Sequence, residues 1–171
     1  MKPKEEGAMR DLKIWAGMAC LAALFGCASP PPPPPPPTLV EVNLITTADA
    51  NPTMDNLGAP VAIRVYQLAS ATNFNGAEFF ALYNGDAALL KADLIHRDDF
   101  LMAPGGSKTQ SIKPTDQVKA IGVFAAYREP ARVVWRVSAD VTPNKLNTLT
   151  VTAGHDGLVL KTDISASKPA S

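Results

Sequence analysis

Beyond residue 27 the sequence has no cysteine: its two are Cys20 and Cys27. The rest of the chain therefore offers no disulfide, no cysteine zinc site and no thiol nucleophile. Histidine is as scarce, and His96 and His155 stand far apart with no HExxH pattern or close pair to hold a metal. Excess charge is missing too. Sixteen basic and sixteen acidic residues cancel, and no basic cluster forms, which excludes a nucleic-acid footprint. No GxSxG nucleophile elbow occurs. The GGSKT at Gly105 departs from a phosphate loop because Ser107 stands between glycine and lysine, and it reads as a hairpin turn. Asp98 and Asp99 are adjacent, so on a strand they point to opposite faces and do not share acid and base roles. These absences leave no chemistry for an enzyme, a metal or a diffusible cofactor.

What is there begins with an address. Lys2, Lys4, Arg10 and Lys13 precede an apolar stretch from Ile14 to Gly26. Its length fits the h-region of a secretory signal, about 7 to 15 residues, and falls short of the roughly 20 needed to span a bilayer. The following LFGC, with Leu24, Gly26 and Cys27, resembles a bacterial lipobox. Residues 1–26 then read as a cleaved lipoprotein signal peptide and Cys27 as the lipidated new N-terminus. Cys20, preceded by Gly17, Met18 and Ala19, matches less well. Acyl burial contributes about 0.8 kcal/mol per methylene, so one chain holds marginally and two or more hold stably. Ala28 and Ser29 follow without an aspartate, which points to the outer membrane, periplasmic face. Residues 27–38 form a linker containing unbroken prolines from Pro30 to Pro37. Proline fixes φ and lacks an N–H, so the run favours a polyproline II rod of about 3.1 Å per residue, roughly 25 Å long. A spacer is the simplest use, and a ligand for proline-reading domains is the alternative.

Residues 39–161 carry the folded part. Period-two alternation places Val40, Val42 and Leu44 on one face, as it does Leu149, Val151 and Ala153. The same reading predicts a strand through Val133, Trp135, Val137, Ala139 and Val141. In KAIGVFAAY both faces are apolar, as in a central strand covered on each side. Proline and glycine turns separate these strands, which suggests a two-sheet sandwich. Between them, Asn75 and Glu78 have the spacing of a helix cap, and Phe79, Phe80, Leu82 and Tyr83 form a broad apolar face. Residues 86–97 are open between helix and strand, and 162–171 read as a fraying tail. The connection from Thr46 to Pro60 is long for a hairpin, whose usual loop is about 2 to 5 residues. It holds Asp49 and Asp55 and two apolar anchors, Met54 and Leu57.

These segments together resemble the TssJ (VasD, SciN) family, the outer-membrane lipoproteins of type VI secretion systems. The resemblance lies in VAIRVYQLAS from Val61, FNGAEFFALYNGD from Phe74, ADLIHRDDFLMAPGGS from Ala92 and IGVFAAYREPARVVWRV from Ile121. It implies a mainly β, transthyretin-like two-sheet sandwich with one short added helix, preceded by signal peptide and polyproline linker. It also implies a scaffold, not an enzyme, that binds the periplasmic C-terminal region of TssM and through it joins TssL. By position, the partner-contacting element is the Thr46 to Pro60 loop. Asn51, Met54, Asp55 and Leu57 are expected contacts there, chosen by side-chain type and expected exposure. A periplasmic ligand-binding lipoprotein of the same fold is the alternative, which a clustered aromatic pocket would favour.

Overall fold

The computed structural model describes residues 32–167, so the signal segment, Cys27 and the start of the proline run lie outside the described residues. Ten regular elements follow: β1 (Leu39–Thr46), β2 (Val61–Leu68), α1 (Thr72–Gly76), α2 (Phe79–Leu90), β3 (Leu94–Met102), β4 (Ser107–Ile112), β5 (Ala120–Ala125), β6 (Arg136–Asp140), β7 (Lys145–Gly154) and β8 (Gly157–Ala166). The strands form two four-stranded sheets, ordered β4-β1-β7-β8 and β3-β2-β5-β6. Pairing is antiparallel throughout except between β1 and β7, which run parallel from Leu39↔Leu146 to Thr46↔Ala153.

Period-two alternation puts the apolar set of β1, Val40, Val42 and Leu44, into the space between the sheets. Leu149, Val151 and Ala153 of β7 join them from the same sheet, and Ile63, Val65, Ile121 and Val123 face them from the other. Each valine, leucine or isoleucine among them contributes roughly 1.5–3 kcal/mol on full burial. The second sheet is covered on its other face as well. Tyr66 and Leu68 of β2 and Ala120 and Phe124 of β5 turn outward to meet Phe74 of α1 and Leu82 and Leu90 of α2. Every residue of β5 is buried, as its two apolar faces foretell. Gly122 sits where the Phe74 ring presses on the strand; a Cβ there would lie 2.9 Å from two ring carbons.

An ionic strap holds the helical layer down. Arg97 Nη1 donates to Asp86 Oδ2 at 2.7 Å, Tyr66 Oη at 2.8 Å, and the Ala87 N–H to Asp86 Oδ1 at 2.8 Å. Burial alone would raise the Asp86 pKa, but the bonds from Arg97 and Tyr66 and the Arg97 charge outweigh it and hold the carboxyl below its ordinary value. Burial and the neighbouring carboxylate push the Tyr66 phenol well up.

Five expectations change. The added helix is divided in two, with Asn75 inside α1 and Glu78 at the N-cap of α2 making no side-chain cap bond. Asn75 instead accepts a hydrogen bond from Ser138 at 3.0 Å. On α2 Leu82 is fully buried while Phe80 and Tyr83 are exposed, so the apolar face is narrower than the residue types suggest. The strand expected from Val133 starts only at Arg136, because Pro130–Arg132 form a 3-10 turn and Val134 bridges to Gly157 of the other sheet. The turn at Ala103–Gly106 is not a hairpin: it carries the chain from β3 in one sheet to β4 in the other. Finally, residues 162–166 do not fray but continue β8, paired with β7 as far as Ala166↔Lys145.

Candidate functional site

The chain enters β1 at one end of the sandwich and leaves it at the other, where the β1–β2 loop emerges. There the loop lies beside the β5–β6 connection and the β7–β8 turn, and together they line a groove of about 310 Å³. The loop is built from its own hydrogen bonds. Ala50 N–H donates to Thr47 O at 3.2 Å, and Ala59 N–H donates to Ala50 O at 2.9 Å, closing the base. Gly58 is required by close approach: a Cβ there would fall 2.0 Å from Ala48 O. At the apex Thr53 N–H donates to Leu57 O at 2.8 Å and Asn56 N–H to Thr53 O at 3.0 Å. The Leu57 N–H adds a bond to the Thr53 hydroxyl at 3.2 Å. Asn56 takes the left-handed backbone (φ 57°) that asparagine tolerates.

Of the residues expected to contact a partner, three are presented and one is not. Met54 is fully exposed at the apex, at 101%, Leu57 is 67% exposed, and Asp55 between them is also exposed. Asn51 is 3% exposed and faces inward, contrary to the expectation of a contact residue. Its Nδ2 donates to Pro60 O at 2.8 Å and its Oδ1 accepts the Arg128 N–H at 2.9 Å. Asparagine fits because it also tolerates the positive φ of 49° found there. Asn51 is thus a clamp that sets the loop against the β5–β6 connection, leaving Met54 and Leu57 as preformed apolar knobs.

Sequence reasoning missed the charged wall of this end. Arg128, Glu129 and Arg132 border the groove on one side, His155 and Asp156 on another. The His155 ring lies 2.8 Å from Asp156, whose hydrogen bond and charge raise the imidazole pKa. Asp49 is held low, chiefly by a hydrogen bond from Thr47. The proximity of His155 and Asp156 to the distant β1–β2 loop is purely tertiary. Tyr127 contributes the groove's aromatic ring, its hydroxyl tied to Gly154 O at 3.0 Å. Among the described residues no group of three or more His, Cys, Asp or Glu side chains is placed to hold a metal ion. Nor is any described helix long and apolar enough to cross a membrane.

Known proteins place this architecture. The crystal structure of the T6SS lipoprotein TssJ1 from Pseudomonas aeruginosa is 31% identical, with a TM-score of 0.71 over 80% of this chain and 100% of that one. Serratia marcescens Lip, a membrane-bound component of the type VI secretion system, is 25% identical with a TM-score of 0.67, covering 73% of this chain and 98% of that one. A chain in the structure of the T6SS protein TssM C-terminal domain (869–1107) from EAEC is 26% identical, with a TM-score of 0.59, covering 72% and 98%. Comparison with curated proteins gave no match. The family model described as type VI secretion lipoprotein, VasD, EvfM, TssJ matches residues 38–156. On that match, and on a sandwich shared over its full extent with TssJ1, the chain belongs to the TssJ (VasD, EvfM) family of type VI secretion lipoproteins.

Proposed function

We propose that this protein is a non-catalytic scaffold of the type VI secretion membrane complex, anchored by lipid on Cys27 in the outer membrane. Its loop end docks the periplasmic C-terminal region of TssM, and through TssM it is linked to TssL. The observation that carries the docking site is Met54, fully solvent-exposed on an apex that is hydrogen-bonded within itself and clamped by Asn51. Large apolar side chains on a rigid protrusion suit an interface core, because the backbone that carries them is already ordered and loses little further entropy on docking. The structural likeness to a chain in the TssM C-terminal domain structure supports TssM as the occupant.

The remaining parts follow from reach and charge. Cys27 and the proline run supply an anchor and a standoff of roughly 25 Å, and β1 then carries the chain to the far end of the sandwich. The test is to replace Thr47 to Gly58 with a short Gly-Ser turn and measure co-purification with the TssM periplasmic domain. Capture is expected to vanish while the circular dichroism of the sandwich is unchanged; undiminished capture would remove the loop from the interface.

One observation favours a second reading. Phe79, Phe80, Pro130, Ala131 and Trp135 line a groove of about 260 Å³ beside α2, a cluster of aromatics suited to an apolar ligand. A thermal-shift screen separates the readings, since a scaffold gives no ligand-dependent rise in melting temperature.

A further inference from the structure

Four strands stand at sheet edges: β4 and β8 in one sheet, β3 and β6 in the other. Edges invite pairing with other chains unless they are short, charged or bulged. Strand β6 has five residues and β4 six. Strand β3 carries His96, Arg97, Asp98 and Asp99 and a register shift opposite Gln67/Leu68. Strand β8 runs ten residues without a register shift, and the two charges near its centre, Lys161 and Asp163, are of opposite sign.

The phase of its hydrogen bonds is set by the turn. Gly154 and Gly157 close the β7–β8 hairpin, so the odd-numbered residues of β8 bond back to β7 and the even-numbered ones direct N–H and C=O outward. Leu158 shows this directly, donating to Val134 O at 2.6 Å across the gap. Beyond it, the outward groups of Leu160, Thr162 and Ile164 have no backbone partner among the described residues. The side chains agree with an unfilled edge. Thr162 and Ile164 share the core-side face with Leu149 and Asn147, yet both are exposed, Ile164 at 54%. On the opposite face Lys161 and Asp163 stand beside Thr150 and Thr148, and neither has an ion-pair partner among the described residues.

We propose that β8 pairs antiparallel with β8 of a second copy about a two-fold axis at Thr162, joining two four-stranded sheets into one. This register is chosen by charge. It sets Lys161 opposite Asp163 of the second copy and Asp163 opposite its Lys161, at non-hydrogen-bonded positions where side chains approach most closely. Leu160 then faces Ile164 of the second copy on the core side, covering the exposed lip. Moving the axis by one residue either way puts lysine against lysine or aspartate against aspartate, which is destabilising for directly opposed like charges. The outward N–H and C=O groups of Leu160, Thr162 and Ile164 meet their counterparts only when even residues face even residues, as they do here. The contact is self-complementary and closed, as two-fold interfaces require. A single strand pair buries less than the roughly 1,200 Å² of a stable interface, so the dimer is weak when free and is favoured when both copies are held on one surface. None of this depends on what the β1–β2 loop binds.

The test is cross-linking of the full chain in intact cells with Thr162→Cys as the reporter. Hydrogen-bonded antiparallel partners have Cα atoms about 5.5 Å apart, within disulfide span. Mild oxidation is expected to give a disulfide-linked dimer on a non-reducing gel, its two Thr162→Cys peptides identified by mass spectrometry. Adding Lys161→Asp should lower the yield several-fold, and adding Asp163→Lys to that chain should restore it. Ser165→Cys, away from the axis, should cross-link far less. A Thr162→Cys yield no higher than that of Ser165→Cys, a yield indifferent to the charge reversal, or a disulfide to a different protein would each overturn the proposal.

Discussion

The backbone N–H of Arg128 donates to Asn51 Oδ1 at 2.9 Å, joining the β1–β2 loop to the β5–β6 connection. With the bond from Asn51 Nδ2 to Pro60 O, one buried side chain ties both halves of that loop to the β5–β6 connection. Asn51→Ala leaves the Arg128 N–H and the Pro60 carbonyl without that partner, at a position with φ of 49°. The expected loss is about 2 kcal/mol of unfolding free energy, measured by urea denaturation. Asn51→Gly keeps the backbone freedom and drops only the bonds, so its loss should be smaller. Equal midpoints for wild type and Asn51→Ala would contradict the clamp.

The Asp86 strap makes stability depend on pH. The Asp86 carboxyl lies below its ordinary value in the folded state. Its contribution is therefore present above the unfolded pKa, near 4, and is lost as the pH falls through the lower folded value. Asp86→Asn should lose about 1–3 kcal/mol at neutral pH, since Arg97 and the Tyr66 hydroxyl lose a charged, buried acceptor, while Arg97 keeps its pair with Asp99 at 2.9 Å. Its stability should then fall less than that of wild type as the pH is lowered through the carboxylate range. Parallel pH profiles for the two proteins would show that the strap does not stabilise α2.

Packing between α1 and β5 is tight enough to test with one methyl group. Gly122→Ala brings a Cβ to 2.9 Å from the Phe74 ring and 3.1 Å from Leu68 Cδ1. Overpacking of this kind costs about 1–3 kcal/mol. Combining it with Phe74→Leu should be less than additive, because the smaller side chain vacates the clash. Thermal unfolding of the two single variants and the double variant measures the coupling.

How much of this was legible in the sequence depends on which surfaces each segment meets. Strand β5 was readable because both of its faces are buried, and the residues say so without reference to anything else. The second half of β8 was missed although Leu160, Thr162 and Ile164 alternate with Lys161, Asp163 and Ser165, because a short, mostly polar alternation beside the end of the sequence looks the same frayed or paired, and only β7 decides it. The boundaries of the long loop were visible from its length and composition, and Met54 and Leu57 are exposed apolar side chains within it. Asn51 was misread because an asparagine in a loop has the same appearance whether solvated or clamped; what decides it is the Arg128 N–H, brought near only by the fold. The Asn75 and Glu78 cap failed for a related reason. Ser138 of β6 holds Asn75, and the helix restarts after Glu78.

The proposed anchoring puts lipid on Cys27. Cys27→Ser removes the thiol that would carry lipid, and the protein is expected to move from the outer-membrane fraction to the soluble periplasmic fraction. Fractionation by density gradient and mass spectrometry of the N-terminal peptide check this. Retention of the variant in the outer membrane would mean that something other than lipid on Cys27 holds it there.

The central claim is that Met54 and Leu57 dock TssM, and it is tested most directly by calorimetric titration of the TssM periplasmic domain with wild type and with Met54→Asp/Leu57→Asp. Both positions are exposed, so the stability of the double variant should stay within about 0.5 kcal/mol per site of wild type. Affinity should fall at least tenfold, the equivalent of about 1.4 kcal/mol. Equal dissociation constants for the two proteins would contradict the account.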